Sequence, residues 1–480
     1  MEGSTIDMIK VLLPRTPLLG KTTLAHLTGF SEHSHHWDLR TELTVTLLRS
    51  EVSTQQPSSI SKLQHLSTRD VPIKGRIWVS KVTMPQPEEE DVRQALFKAI
   101  EALKESGAAP GGYTEPELLP VEAEWTGYRA GATEDSDQPE ISESAKYQEM
   151  MKEASSPTTI LYFHGGGYYL MDPATHRSTC KKLAKLTKGR CLSVRYRLAP
   201  QHPFPAQLLD ALVSYFSLLY PPTGSLHAAV APEHIVLSGD SAGGNLSLTL
   251  LQTLLEFRRQ GLKILWNGEL REAPLPAGVA VNSPWCDVMH SSPSCESNGR
   301  YDYLPATSVQ ERQADYRADD VWPANPPRRH LYAEDAMLMH PLVNPIVAPN
   351  WEGSCPLWIE TGTELLSDED KYVAMKAARQ GVKVVYSEWE AMPHCFALVL
   401  VKLPAARKCF DDWAQFIVDV VERPSSVVSG GKVVKAKTLE DVPVDLLSLS
   451  PFTGDEEVKE RMRDRVQKLG AKRLNGMSRL

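Results

Sequence analysis

Residues 234–260 read HIVLSGDSAGGNLSLTLLQTLLEFRRQ, and three patterns follow one another there without a gap. Residues 234–238 form a short apolar run rich in β-branched side chains, which predicts a buried strand. Residues 239–244 are small and glycine-rich around Ser241, giving G-x-S-x-G. From 245 to 260 apolar residues recur at helical spacing. A serine on a tight strand-to-helix turn needs small neighbours because the turn is strained and closely packed. The strain points the hydroxyl outward, and the following helix aims its positive N-terminus at the reacting oxygen. A chance glycine-rich turn is the competing reading, and the strand before it and the helix after it weigh against chance.

Working outward, similar apolar runs occur at 159–163, 191–196, 278–282, 357–361 and 383–389. Helical stretches separate them, notably 205–219 and 368–380. Strands alternating with helices predict an α/β fold with a mostly parallel sheet covered on both faces. A strand is also expected at 76–84, a helix at 92–103 and a last helix at about 398–421. Residues 107–116, rich in Gly, Pro and Ala, read as a linker, and the polar, acidic stretch 130–157 as an exposed, mobile insertion. The span 284–345 is too long for an ordinary connection and is expected to form a lid or pocket element. Residues 1–70 show no clear strand ladder, and beyond Arg423 little is expected to anchor the chain to a core. The resulting division is 1–120 as an N-terminal cap or extension, 121–424 as the catalytic domain, and 425–480 as a tail.

A second glycine cluster, His164-Gly165-Gly166-Gly167, directly follows the run at 159–163. Consecutive glycines let backbone N–H groups approach a ligand without interference from Cβ atoms. Such donors stabilise the oxyanion of a tetrahedral intermediate. Gly165 and Gly166, with the amide of Ala242, are the expected donors.

His164–Gly167, Tyr196-Arg197-Leu198-Ala199-Pro200, Pro203-Phe204-Pro205-Ala206 with Asp210, and Gly239–Gly244 together resemble the hormone-sensitive-lipase family of α/β-hydrolases, which includes the fungal steryl-acetate-hydrolase-like esterases. The similarity spans about residues 157–424. It implies an α/β-hydrolase fold with an eight-stranded sheet and a helical cap, no metal or organic cofactor, and a preference for short acyl groups on a small-molecule ester. In this fold the acid and the histidine follow the serine in that order. Residues 362–369 (GTELLSDE) match the family's acid block, and aligning on Asp368-Glu369 puts Glu364 at the acid position. Asp368 is the alternative acid, read more simply as a carboxylate at a helix N-terminus. Met392-Pro393-His394-Cys395-Phe396 resembles the family's His-Gly-Phe element and makes His394 the base. Cys395 departs from the usual Gly and adds a side chain beside that base. Trp285 and Asp287 match a family block that lines or braces the pocket.

Composition narrows the alternatives. A net charge of -8 argues against a nucleic-acid partner, which would need an excess of Lys and Arg on some face. No apolar run approaches the roughly 20 residues of a membrane span. The stretch 8–19 is interrupted by Lys10, Pro14, Arg15 and Pro17 and does not read as a signal peptide. Seven scattered cysteines without zinc spacing suit reduced thiols. The sequon at Asn245 is a chance match behind the nucleophile. Gly20-Lys21-Thr22 lacks the leading Gly and strand of a phosphate loop. His33, His35 and His36 lack the neighbouring ligands of a metal site. Ser478-Arg479-Leu480 has the form of a peroxisomal import address read by a receptor, so a peroxisomal location is expected, otherwise a cytoplasmic one. A fluorescent fusion with that C-terminus free that stayed diffuse would exclude it.

Three functions fit these motifs. The leading one is a serine carboxylesterase or deacetylase working through Ser241, Glu364 and His394. An acyltransferase or thioester hydrolase would keep the site and change the acceptor. A non-catalytic receptor, as in the plant gibberellin receptor, would lack the catalytic histidine, whereas His394 is present.

Overall fold

In the computed structural model, which describes residues 13–477 apart from 54–56, 106 and 108, the apolar runs are strands of a single large sheet. Along the chain these are β1 (Ile77–Met84), β2 (Val121–Tyr128), β3 (Thr159–Phe163), β4 (Arg190–Arg195) and β5 (Ile235–Asp240). After a detached hairpin, β6 (Ile264–Trp266) and β7 (Glu269–Arg271), come β8 (Gly278–Asn282), β9 (Leu357–Gly362) and β10 (Val384–Trp389). The last two strands are β11 (Gly430–Val434) and β12 (Asp441–Val444). Their order is β1-β2-β4-β3-β5-β8-β9-β10-β11-β12. Pairing is parallel from β4 through β11, with β1–β2, β2–β4 and β11–β12 antiparallel.

Among the described residues, three α-helices precede the sheet: α1 (Thr16–Leu27), α2 (Leu39–Val52) and α3 (Ile60–Ser67). The crossovers carry α4 (Asp91–Ala102), α5 (Glu143–Glu153), α6 (Pro173–Thr187), α7 (Ala206–Leu219) and α8 (Ala242–Arg259). Next are the short α9 (Ser294–Ser297) and α10 (Thr307–Arg312), then α11 (Ser367–Arg379), α12 (Phe396–Val399), α13 (Pro404–Glu422) and α14 (Asp455–Met477). Because the central strands are buried on both faces, they carry apolar side chains at successive positions rather than at alternate ones. Ile160, Tyr162, Val236 and Trp358 face one layer, where Leu183 of α6 and Phe410 and Trp413 of α13 cover them. Leu161, Phe163, Leu237 and Val279 face the other, packed on Leu96 of α4, Leu212 of α7, Leu250 of α8 and Val373 of α11.

Eight of the ten strands have the arrangement expected for the hydrolase fold. The other two come from residues 425–480, expected to be weakly anchored. That expectation fails, because β11 extends the sheet alongside β10 and β12 pairs with β11. Phe452, Val458 and Met462 are buried in the main core, so a few apolar residues in a charged segment suffice to hold it. Residues 130–157 also differ from expectation. They contain α5, which caps its N-terminus with Ser142 Oγ and buries Tyr147 and Met150 against Trp125 and its neighbours. The span 284–345 is mostly irregular, holding α9 and α10 and short 3-10 turns. α2 and α3 complete the cover. Ser61 N–H and Oγ donate to Asp319 in this span at 3.0 and 2.6 Å.

Gly20-Lys21-Thr22 lies inside α1, and His33 stacks on Trp37 at 4.4 Å between ring centres. All seven cysteines are buried and unpaired. Among the described residues no helix is long and apolar enough to cross a membrane. Ser478-Arg479-Leu480 lies outside the described residues.

Candidate active site

The turn between β5 and α8 is held where small residues permit no alternative. A Cβ at Gly243 would stand 1.9 Å from the Phe163 carbonyl oxygen, and one at Gly239 would stand 2.5 Å from the same atom. Ser241 between them has φ +52° and ψ -120°, a strained backbone for a residue with a side chain, costing on the order of 1–3 kcal/mol. Two hydrogen bonds pin it. Ser241 N–H donates to the Asn282 carbonyl at 3.1 Å, and Trp285 N–H donates to the Ser241 carbonyl at 2.9 Å. Ala242 opens α8, so its N–H is one of the first-turn donors without an intrahelical acceptor.

The glycine loop after β3 touches this turn. A Cβ at Gly165 would lie 2.4 Å from Asp240 Oδ2, and Gly166 has φ +104°. Behind the loop, the His164 ring stacks on Tyr196 at 4.2 Å, and Tyr196 Oη donates to the His164 carbonyl at 2.6 Å. Burial first, and the neighbouring His176, push His164 down to about 3, so it is neutral. Asp240, the residue before Ser241, receives a hydrogen bond from Tyr162 Oη at 2.7 Å and pairs with His176 at 3.2 Å. Burial works against the Asp240 carboxylate, but His176 and Tyr162 hold it below the ordinary range.

Glu364 and His394 meet at the ends of β9 and β10. His394 Nδ1 lies 3.1 Å from Glu364 Oε1, and the Glu364 side chain is fully buried. Its other oxygen, Oε2, accepts from Ser283 Oγ at 3.0 Å, and Ser283 Oγ in turn accepts from Cys395 N–H at 3.1 Å. Burial alone would lower the His394 pKa. The Glu364 contact outweighs it, and with Asp302 and Asp240 sets it above the ordinary 6.5. With Nδ1–H donating to Glu364, Nε2 is the free base. Cys395 Sγ lies 3.5 Å from that Nε2 and 4.0 Å from Asp240 Oδ2, so the base loop and the Ser241 turn converge there. Cys395 itself has φ +48°, a conformation that favours glycine.

Asp368 is placed elsewhere. It sits in the first turn of α11, and its Oδ2 accepts from Ser294 N–H at 3.0 Å. Asp287 braces a loop, accepting from Met289 N–H at 2.9 Å and Ser291 N–H at 2.7 Å. Asn245 is buried and commits its Nδ2 to the carbonyls of Trp285 and Val343 at 2.6 and 2.9 Å, so the sequon has no free amide. Among the described residues no group of three or more His, Cys, Asp or Glu side chains could hold a metal ion. Sequence reasoning missed Ser283, the Tyr162–His176 support of Asp240, and Asp302, whose partners are remote in the chain.

The family model described as the α/β hydrolase fold matches residues 160–398. An acetyl-hydrolase of Streptomyces hygroscopicus is 30% identical over 260 residues, which cover 54% of this chain and 75% of that protein. An esterase of Acinetobacter venetianus is 29% identical over 273 residues, covering 56% of this chain and 77% of its own. A solved esterase from the bacterial hormone-sensitive lipase family shares the fold with a TM-score of 0.51, at 21% identity over 80% of this chain and 99% of that one. By class, then, the protein is a carboxylic ester hydrolase. The chain belongs to the hormone-sensitive-lipase family of α/β-hydrolases.

Proposed function

We propose that this protein is a serine carboxylesterase that removes short acyl groups from a hydrophobic small-molecule ester through Ser241, His394 and Glu364. The observation that carries the reading is the Glu364–His394 contact of 3.1 Å, on a loop whose Cys395 Sγ lies 4.0 Å from Asp240 Oδ2 at the start of the strained Ser241 turn. His394 Nε2 takes the Ser241 proton as Oγ attacks the ester carbonyl, while Glu364 fixes the tautomer and stabilises the imidazolium that forms. The N–H groups of Gly165, Gly166 and Ala242 receive the oxyanion. His394 then returns the proton to the departing alcohol. A water molecule, activated by the same imidazole, hydrolyses the acyl-enzyme. No step needs a metal or organic cofactor.

The short acyl preference draws its support from the acetyl-hydrolase relative and from the family resemblance. The receptor alternative is weakened because His394 is present and partnered by a carboxylate. We expect p-nitrophenyl acetate to hexanoate to be hydrolysed in preference to palmitate, and Ser241→Ala to lose this activity. A preference for palmitate would contradict the acyl assignment, and an active Ser241→Ala would contradict the nucleophile.

A further inference from the structure

Asp302 lies in the irregular cover between α9 and α10, and its side chain is completely buried. Its carboxylate accepts three backbone N–H groups from three different segments. Oδ2 accepts from Leu365 at 2.9 Å, the residue directly after Glu364. Oδ1 accepts from His394 at 3.3 Å and from Leu304, within its own loop, at 3.1 Å. One side chain thus bonds the main chain at His394 and the main chain next to Glu364. Asp302 is seated in turn from the N-terminal extension. Arg49 of α2 donates from Nε and Nη2 to the Asp302 carbonyl at 2.9 and 2.6 Å, and from Nη2 to the Arg300 carbonyl at 2.8 Å.

We propose that Asp302 is a positioning residue that fixes the acid loop against the base loop, and that Arg49 holds it in register, so that a helix outside the catalytic domain sets the geometry of the reaction. A displacement of about 1 Å between acid and base costs roughly a hundredfold in rate, which is why a rigid tie between the two backbones matters. A carboxylate suits this role because it can accept all three N–H groups at once, whereas an amide offers one oxygen and would turn an N–H donor toward another donor. The same carboxylate faces the imidazole electrostatically. The groups around His394 are Glu364 on the acid loop, Asp302 in the cover, Asp240 at the end of β5, the Cys395 thiol, the Tyr303 ring at 6.2 Å and His290. Burial keeps Cys395, Tyr303 and His290 neutral. Burial and then the Glu364 charge push the Asp302 carboxyl up to about 6, so above that pH it is an anion that favours the imidazolium.

Because this rests on the triad assignment proposed above, the full-length chain is tested in two ways at once. Steady-state hydrolysis of p-nitrophenyl acetate is measured across pH for the native protein and Asp302→Asn, and each is treated with a fluorophosphonate probe. In Asp302→Asn we expect kcat to fall about tenfold or more with KM within about twofold, the signature of a group that orders the reacting residues rather than binding substrate. Removing the negative charge disfavours the imidazolium, so the acid limb of kcat/KM moves to lower pH, by about half a unit. A native kcat, or a lower kcat with the limb unmoved, overturns the proposal. Should Asp302→Asn fail to fold, Arg49→Met keeps the carboxylate and removes its seat. A several-fold lower kcat at unchanged KM is then expected, and a native kcat overturns the proposal. If the native protein itself is not labelled at Ser241, the triad assignment fails, independently of Asp302.

Discussion

Glu364 and Asp368 stand four positions apart in one acidic block, and their surroundings give the two carboxylates different work. Glu364 faces the imidazole and is steadied by Ser283, while Asp368 holds a backbone N–H of α9. Glu364→Gln is expected to lower kcat by about a thousandfold, because an amide neither fixes the tautomer nor stabilises the imidazolium. Asp368→Asn should stay within about tenfold of native kcat, as loss of one helix-terminal contact affects folding more than chemistry. Steady-state kinetics on p-nitrophenyl acetate separates them, and equal losses would show the acid to be misassigned. Since the His394 pKa lies above 6.5 and the neutral imidazole is the base, activity should rise with pH through a limb above 6.5. Ser241, Gly165, Gly166, His394 and the acid block were legible because each sits in a contiguous motif with a mechanical reason for its neighbours. Ser283, Asp302 and Arg49 were not. Each is an ordinary residue type in an unremarked context, and its partner is reached only through the fold: Arg49 meets Asp302 across 253 residues.

At the scale of elements, the strands that were easiest to read are those buried on both faces, where β-branched apolar runs leave little ambiguity. The elements that were missed expose most of their surface. α5 is a polar helix with a buried stripe of only Tyr147 and Met150, too narrow to stand out from an acidic loop. The C-terminal segment is similar, with single anchors such as Phe452, which packs edge-on against Tyr372 at 5.5 Å. Phe452→Ala should therefore destabilise the protein by about 3–5 kcal/mol, the cost of emptying a well-packed aromatic site. Denaturant unfolding is the measurement, and a loss near zero would return 425–480 to the status of a loose tail. The course of 284–345 carries no periodicity to read, since it is held by contacts remote in the chain, such as Ser294 with Asp368 and Leu365 and Ser61 of α3 with Asp319.

For the molecule as a whole, a central sheet supplies the ends of β3, β5, β9 and β10 as fixed points, and the chemistry hangs from the loops that leave them. The N-terminal helices close over this rim. Trp37 Nε1 donates to the Ala391 carbonyl at 2.6 Å, three residues before His394, and Arg49 holds the loop that carries Asp302. Regions on both sides of the recognised hydrolase segment are therefore built into the folded unit, one at the rim of the site and one at the edge of the sheet. Their contributions are tertiary, which explains why composition and motif reading assigned them no role. The central claim, a hydroxyl made nucleophilic by a carboxylate-held imidazole, is tested most directly by reacting the intact protein with a fluorophosphonate and mapping the adduct by mass spectrometry. The account predicts a single adduct on Ser241, absent in Ser241→Ala and formed at least about a hundredfold more slowly in His394→Ala. An adduct on another residue, or native-rate labelling of Ser241 without His394, would contradict it.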